Sequence, residues 1–346
     1  MKKIRVAING FGRIGRTFFR MAMENEDIEI VAINDLGDIE NLAYLLKYDT
    51  AYGRSNFDVS IEKRDWKTVL VANGKDFEFL SEKDPALLPW REFGIDVVLE
   101  STGFFVEFEK AKLHLDAGAK RVVISAPGKG DPVPGVESAT VLMGINEEAL
   151  RTCQISSNAS CTTNACSPVV HLLNEKIGIE KAFLNTVHGY TATQKIVDSP
   201  DKKDWRRGRA AAQNIIPSTT GAAKSVTEVV PDLVGKFDGI ALRIPVITGS
   251  VADITFIAKR DTSVEEVNDI FRTAASEERW KGIISVATAP IVSSDIIGDI
   301  NASIVDTEFT RVIGGNFVKV LAWYDNEAGY TNTLIKHIKK IGEFLE

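Results

Sequence analysis

One stretch of the chain combines a cysteine with hydroxyl and amide side chains, a composition suited to nucleophilic chemistry. It spans residues 156–164 and contains Cys161. The largely apolar residues that follow, up to residue 173, predict a helix that begins near this cysteine. Because unpaired N–H groups and the positive end of a helix dipole stabilise a thiolate, Cys161 is a candidate nucleophile. The alternative is a helix cap that contains a small buried cysteine.

A nucleophilic thiol needs a base, and the chain has only four histidines. His171 lies ten residues beyond Cys161 on the same predicted helix, about 15 Å away, and cannot reach the sulfur. His114 and His337 fall in charged amphipathic segments, which predicts solvated side chains. His188 ends a predicted strand and opens a polar loop, so it is the candidate base. A structural role is the usual alternative for a strand-end histidine.

The chain opens with a strand, a glycine turn and a helix. Residues 4–8 predict a buried strand, which leads into the turn Gly10-Phe11-Gly12-Arg13-Ile14-Gly15. Such spacing lets the backbone approach a pyrophosphate at a helix N-terminus. Asp35 stands 20 residues after Gly15 at the end of a second predicted strand, where a carboxylate accepts hydrogen bonds from an adenosine ribose. Since an acidic residue repels a 2′-phosphate, the sequence predicts NAD rather than NADP as the cofactor.

Two further predicted strands, residues 95–100 and 121–124, end in small polar loops that contain Thr102 and Ser125. The carboxyl ends of strands in an open parallel sheet meet at one edge, where ligands bind. We therefore expect both loops to face the cofactor. Ordinary connecting turns are the alternative.

Candidate anion sites lie further along the chain. Thr191 follows His188 in the polar loop, and Arg243 lies late in an apolar strand, where it needs a partner. That partner is either an anionic ligand or a structural carboxylate. Thr220 and Gly221 offer a hydroxyl and an N–H group at a predicted helix start.

Composition excludes several classes of protein. A chain of 346 residues with 44% hydrophobic content suggests about two domains. The formal net charge of −7 argues against nucleic acid or an anionic membrane as a partner. Three cysteines make no disulfide framework, and no Cys/His spacing resembles a zinc site, so we expect no metal. Without a signal peptide or membrane span in the sequence, we expect a cytoplasmic protein.

The pattern of elements predicts an α/β fold. An N-terminal Rossmann dinucleotide-binding domain is expected over residues 1–160. From residue 181 onward longer strands alternate with helices, which predicts an α+β catalytic domain with a mixed or antiparallel sheet over residues 161–325.

Several of these segments together resemble the glyceraldehyde-3-phosphate dehydrogenase family. The resemblance rests on residues 9–16, 157–164, 188–194, 215–223 and 323–327 and spans essentially the whole chain. It implies a homotetramer in which the final segment, residues 326–346, returns to the first domain. It also implies oxidation of glyceraldehyde 3-phosphate to 1,3-bisphosphoglycerate, a glycolytic reaction that reduces NAD and consumes inorganic phosphate through a cysteine thioester.

The resemblance assigns roles residue by residue. Cys161 is the nucleophile and His188 the base, and Asn326 holds the nicotinamide amide. Two groups of residues hold phosphate: Thr191 and Arg243 for the substrate phosphate, and Ser160, Thr162, Thr220 and Gly221 for inorganic phosphate. The chain departs from the family at Gly189, Cys166 and Ala328, none of which removes a functional group.

Three other readings stay open from the sequence. Erythrose-4-phosphate dehydrogenase shares this scaffold and cysteine, but we expect a different loop after its histidine. A non-phosphorylating aldehyde dehydrogenase needs a carboxylate to activate water, and only Glu327 lies in these loops. The third is a non-catalytic nucleotide-binding or adhesion protein, which predicts an unreactive Cys161.

Overall fold

The computed structural model describes residues 3–64, 67–202 and 204–345. The chain forms two compact units, one made of Met1–Ala159 with Thr331–Glu346 and the other of Ser160–Tyr330. Within the described part of the chain, no helix is long and apolar enough to cross a membrane.

The first unit is built on a nine-stranded sheet in the order β10-β11-β9-β8-β1-β2-β7-β6-β5. Its strands are β1 Ile4–Asn9, β2 Ile28–Asn34, β5 Val59–Arg64, β6 Lys67–Ala72, β7 Lys75–Leu80, β8 Val97–Glu100, β9 Arg121–Ile124, β10 Ser138–Thr140 and β11 Ile155–Ser157. A separate small hairpin is formed by β3 Tyr48–Asp49 and β4 Gly53–Arg54, and the helices are α1 Arg13–Met23, α2 Ile39–Lys47 and α3 Phe108–Asp116.

Parallel pairing runs through the central strands of this sheet. β1 pairs in parallel with β2 on one side and β8 on the other, and β9, β11 and β10 continue the same direction. Val6, Ile8 and Val98 are fully buried, as expected where both faces of a parallel sheet are covered. The predicted Rossmann-type first unit is confirmed, and the antiparallel strands β5, β6 and β7 extend it at one edge.

The second unit holds a mixed seven-stranded sheet in the order β13-β14-β12-β15-β18-β17-β16. Its strands are β12 Ile179–Gly189, β13 Ile216–Thr219, β14 Phe237–Ile244, β15 Ser250–Ala258, β16 Ile284–Val286, β17 Ser303–Ile313 and β18 Phe317–Tyr324. The helices are α4 Cys161–Lys176, α5 Ala222–Val229, α6 Val264–Ser276 and α7 Ala328–Gly342, and from Thr331 onward α7 belongs to the first unit.

Among the described residues, helices α4, α5 and α6 pack on the strands of the second sheet. Along β15 buried and half-buried residues alternate strictly, which places one set of side chains against helix α4. Helix α5 packs on β14, and helix α6 packs on β16 and β17. On neighbouring strands of this sheet the apolar side chains of Phe183, Ile240 and Phe317 are exposed. A large apolar sheet face of this kind is typical of a surface that another protein covers.

Two histidines that we expected in solvent are fully buried. His114 accepts a hydrogen bond from Trp90 Nε1 at 3.0 Å, and its Nε2 atom lies 3.1 Å from Glu100 Oε2. The ring nitrogens of His337 lie 3.1 Å from Asn158 Oδ1 and 2.8 Å from Ser156 Oγ. Both expectations were wrong because each imidazole has polar partners on distant segments that fully satisfy it inside the first unit.

Candidate active site

Cys161 is the first residue of helix α4, as the sequence predicted. Ser160 caps this helix, because its hydroxyl accepts a hydrogen bond from the N–H of Thr163 at 3.1 Å. The Ser160 hydroxyl also lies 2.7 Å from Thr163 Oγ1. The cap fixes the start of the helix and therefore the position of the thiol.

The candidate nucleophile and the candidate base are in direct contact. Cys161 Sγ lies 3.3 Å from His188 Nε2. The other ring nitrogen, Nδ1, lies 2.6 Å from the carbonyl oxygen of Gly189. If Nδ1 carries the proton and donates it to this carbonyl, Nε2 is free to accept the proton of the thiol.

Arg243 reaches the same imidazole from the neighbouring strand. β12 and β14 are parallel, and His188 is the register partner of Arg243. The Arg243 Nη1 atom lies 2.5 Å from His188 Nδ1 and donates to the Gly189 carbonyl at 3.1 Å. Because a guanidinium can only donate, this contact makes Nδ1 an acceptor and places the proton of the neutral ring on Nε2, so His188 can act as a base through Nε2 only when Arg243 turns to another acceptor. The structural carboxylate that we considered as the partner of Arg243 is not among its contacts with the described residues.

Burial controls the protonation of this pair. It lowers the pKa of His188 to about 3, and the positive charge of Arg243 acts in the same direction. Burial also raises the pKa of the Cys161 thiol, although Arg243 and Thr162 oppose this change. Burial thus opposes the charged form of both groups. Desolvation therefore opposes the thiolate that the helix start favours.

Tyr324, the last residue of β18, links this strand to helix α4 and strand β12 next to His188. Its hydroxyl lies 2.8 Å from Thr162 Oγ1 and 2.8 Å from Thr186 Oγ1. Its ring meets the His188 ring edge-on at 5.9 Å between centroids. Sequence reasoning missed Tyr324 and Thr186; the only available signal was the tyrosine within residues 323–327.

The remaining predicted anion residues lie in two turns of the second unit. Thr191 Oγ1 lies 3.0 Å from Thr193 Oγ1 in the loop after His188. Thr220 accepts from the N–H of Ala222 at 3.1 Å, and Gly221 precedes helix α5 with open space beside its Cα. Among the described residues, no hydrogen bond joins either turn to Cys161.

Asn326 follows strand β18 and is held by its side-chain oxygen. Oδ1 accepts hydrogen bonds from Ser250 Oγ at 2.8 Å and from the N–H of Gly249 at 3.2 Å. The residue is 6% exposed. Its amide nitrogen remains available to donate to a ligand.

In the first unit the glycine turn forms a backbone cradle. Gly10 has φ +99°, and a Cβ placed there would lie 2.5 Å from the backbone nitrogen of Thr102. A Cβ at Gly15 would lie 2.1 Å from the Gly10 carbonyl oxygen, so only glycine permits this packing. Gly12, which precedes α1, has nothing within 4 Å of its Cβ position. This open space at a helix N-terminus fits a pyrophosphate.

Arg13 and Ile14 are the first two residues of α1, where backbone N–H groups lack acceptors within the helix. The side chain of Arg13 forms an ion pair with Asp49. Its guanidinium is therefore occupied, and we assign only the backbone of Arg13 to an anion.

A cavity of about 670 Å³ adjoins the cradle, a size suited to a small ligand. Asp35 lines it and accepts from the N–H groups of Phe11 at 2.6 Å and Gly37 at 2.7 Å. A carboxylate has further lone pairs for ribose hydroxyls, so the residues present fit an adenosine. Thr102 also lines this cavity, whereas Ser125, a described residue at the end of β9, does not.

The fold of the first unit and its open glycine cradle define a class of protein, the NAD-dependent dehydrogenases. Residues 4–108 match the model for the NAD binding domain of glyceraldehyde 3-phosphate dehydrogenase. Residues 160–326 match the model for the C-terminal domain of the same family.

Several known proteins are similar to this chain over nearly its whole length. A glyceraldehyde-3-phosphate dehydrogenase of Mycobacterium avium is 48% identical over 99% of both chains. Those of Streptomyces coelicolor and Priestia megaterium are 48% and 46% identical over 96% of both chains. The chain belongs to the glyceraldehyde 3-phosphate dehydrogenase family.

Proposed function

We propose that this protein oxidises and phosphorylates glyceraldehyde 3-phosphate to 1,3-bisphosphoglycerate, with NAD as the oxidant, through a thioester on Cys161. The observation that carries the proposal is the 3.3 Å contact between Cys161 Sγ and His188 Nε2, in a chain of this family. A thiol within reach of a neutral base is the arrangement that covalent catalysis requires.

The first step uses the neutral pair. His188 Nε2 takes the thiol proton while Cys161 Sγ attacks the aldehyde carbon, and the imidazolium then returns this proton to the new alkoxide oxygen. The product is a hemithioacetal on Cys161. Once the imidazolium has returned its proton, the ring is neutral again and can act as a base in the next step.

His188 then accepts the hydroxyl proton of the hemithioacetal, which leaves a thioester on Cys161. NAD, when bound, supplies the hydride acceptor for this oxidation. Inorganic phosphate attacks the thioester carbon and releases the acyl phosphate. The imidazolium returns its proton to the departing thiolate, which restores the starting thiol.

Anion binding divides between two sets of residues. Thr191 and Arg243 bind the phosphate of the aldehyde, and Ser160, Thr162, Thr220 and Gly221 bind inorganic phosphate. The open Cα side of Gly221 at the start of α5 supports the second site. Since Tyr324 engages the Thr162 hydroxyl, we assign Thr162 a supporting position there.

We assign NAD binding to the cradle and to Asn326. Gly10, Gly12, Gly15 and the backbone of Arg13 and Ile14 hold the pyrophosphate, Asp35 the adenosine ribose, and Asn326 the nicotinamide carboxamide. Thr102 and Ser125 belong to the loops on the cofactor side.

The first unit serves as the dinucleotide-binding domain and the second as the catalytic domain. We further propose that the protein acts in the cytoplasm as a homotetramer. The exposed apolar face that carries Phe183, Ile240 and Phe317 supports assembly. Sedimentation at micromolar concentration tests this point, since a monomer would contradict it.

Phosphate dependence tests the proposed reaction. With aldehyde and NAD but no phosphate, we expect a burst of about one NADH per site, followed by a slow phase, because the thioester waits for its second substrate. Added phosphate should restore steady turnover. A full steady rate without phosphate would show that water resolves the thioester and that the proposed reaction is wrong. Erythrose 4-phosphate serves as the competing aldehyde and should turn over more slowly.

A further inference from the structure

A hydrogen-bonded chain joins the turn that carries the base to the amide of Asn326. The N–H of Gly189 donates to Ser250 Oγ at 3.2 Å, and Ser250 Oγ donates to Asn326 Oδ1 at 2.8 Å. Strands β12, β15 and β18 are neighbours in the sheet. Gly189 ends the first, Ser250 begins the second and Asn326 follows the third, so all three lie at one edge.

The direction of each hydrogen bond is fixed by groups that can only donate. The Gly189 N–H needs an acceptor, so the Ser250 oxygen accepts from it and sends its single proton to Asn326. The Gly249 N–H also faces the amide of Asn326, at 3.2 Å from Oδ1. A flipped amide would turn its own NH₂ group toward this N–H, which is unfavourable.

Thr248 closes the same cluster without adding a third donor. Its hydroxyl lies 2.8 Å from Asp325 Oδ1 and 3.3 Å from Asn326 Oδ1. The shorter contact to the buried carboxylate takes its only proton. Ser250 and Gly249 are therefore the two donors that orient Asn326.

We infer that Ser250 is a positioning residue that fixes the Asn326 amide with Nδ2 as its free donor and anchors the peptide next to His188. Among the described residues none hydrogen-bonds to this nitrogen. A donor held in this way selects a carbonyl oxygen, the chemistry of a carboxamide such as that of nicotinamide. The inference rests on the proposed function, in which Asn326 contacts the cofactor.

Ser250 also supports the turn that carries the base. Ser250 is 1% exposed and is the acceptor for the Gly189 N–H, while the Gly189 carbonyl lies 2.6 Å from His188 Nδ1. One buried hydroxyl thus restrains the peptide beside the imidazole and the cofactor-facing amide together. Removing it should loosen both.

Calorimetric NAD binding tests the cofactor side with four variants. Ser250→Ala should weaken NAD binding about fivefold, the effect of one lost orienting hydrogen bond, and Asn326→Ala should weaken it at least as much. The double variant should bind no more weakly than Asn326→Ala, because Ser250 acts through Asn326. Ser303→Ala is the matched control, since Ser303 is fully buried in the same sheet and its hydroxyl has no partner among the described residues.

The outcomes separate the inference from the proposed function. Unchanged NAD affinity in Ser250→Ala, or additive losses in the double variant, would overturn the inference alone. Unchanged affinity in Asn326→Ala would overturn both it and the proposed cofactor contact. In steady-state kinetics, Ser250→Ala should raise the KM for NAD and leave the KM for the aldehyde unaltered. A general loss of structure would not give this difference between the two KM values.

Alkylation of Cys161 by iodoacetamide in cofactor-free protein tests the base side. We expect Ser250→Ala to change the rate about threefold through the loosened His188 turn, and the control Ser303→Ala to leave it unchanged. Ser250→Thr, which keeps the hydroxyl, should restore the rate. If Ser250→Ala does not fold, Ser250→Val compared with Ser250→Thr decides the matter: the two side chains are alike in shape and differ in the hydroxyl, so equal NAD affinity would overturn the inference.

Discussion

Arg243 and His188 lie side by side on parallel strands, with Nη1 of the arginine 2.5 Å from Nδ1 of the histidine. A positive charge at this distance opposes protonation of the ring and favours the charged form of Cys161. In the proposed reaction the same guanidinium binds the phosphate of the aldehyde, so one side chain affects both recognition and proton transfer.

Replacing this arginine should separate the two phosphate sites. We expect Arg243→Gln to raise the KM for glyceraldehyde 3-phosphate at least about tenfold through loss of a charge-assisted hydrogen bond, with little effect on the KM for unphosphorylated glyceraldehyde. Thr220→Ala should instead raise the KM for inorganic phosphate. Arg272→Gln, on the exposed face of α6, is the control. If Arg243→Gln and Thr220→Ala changed the same KM values, the proposal of two distinct phosphate sites would be contradicted.

The three cysteines are free thiols, which allows a matched test of the nucleophile. Cys161→Ser should lower turnover more than about a thousandfold while NAD still binds, because a hydroxyl is a far weaker nucleophile than a thiolate. Cys166→Ala changes a fully buried thiol of the same helix and should retain activity. Turnover that survives Cys161→Ser, measured as NADH formation, would remove Cys161 from the mechanism.

Cofactor preference should depend on the charge of Asp35. Asp35→Asn removes the negative charge that repels a 2′-phosphate and keeps one of the two oxygen acceptors, which bond separately to the N–H groups of Phe11 and Gly37. We expect kcat/KM for NADP to rise relative to NAD by about tenfold. The exposed helix cap Asp38→Asn is the control. An unaltered ratio would mean that selectivity lies elsewhere in the chain.

Acid should destabilise the protein through its buried imidazoles. Burial lowers the pKa of His337 from 6.5 to about 3. Between these two pH values the imidazole of His337 is protonated in the unfolded chain and neutral in the folded chain. Stability is therefore complete above pH 6.5 and falls as the pH drops toward 3. His337→Gln should reduce the loss of urea midpoint between pH 7 and pH 5. His171→Gln, at a partly exposed position, should reduce it less, and equal slopes in all three proteins would refute this account.

Much of the fold and site could be predicted from local patterns. Buried runs, the glycine turn and the apolar helix after Cys161 are encoded within short windows, and His188 could be found because histidines are scarce. Ser250 could not, since its partners lie 61 and 76 residues away along the chain and meet it only through the order of three strands.

The pKa shifts of Cys161 and His188 could not be predicted from the sequence either. A helix start favours a thiolate, but the desolvation that opposes it depends on the packing around Cys161 and His188. The buried positions of His114 and His337 have the same origin. Charged neighbours along a helix indicate solvent, whereas Trp90, Glu100, Ser156 and Asn158, which satisfy the rings, come from elsewhere in the first unit.

The first unit is discontinuous in the chain, because residues 331–346 belong with residues 1–159. During synthesis the ribosome releases the whole second unit before it releases His337, the residue that bonds to Ser156 and Asn158. The first sheet is therefore made without its last helix while about half of the chain is synthesised, and Ser156 and Asn158 lack their partner on that helix for that time. The order of translation thus favours completion of the second unit first.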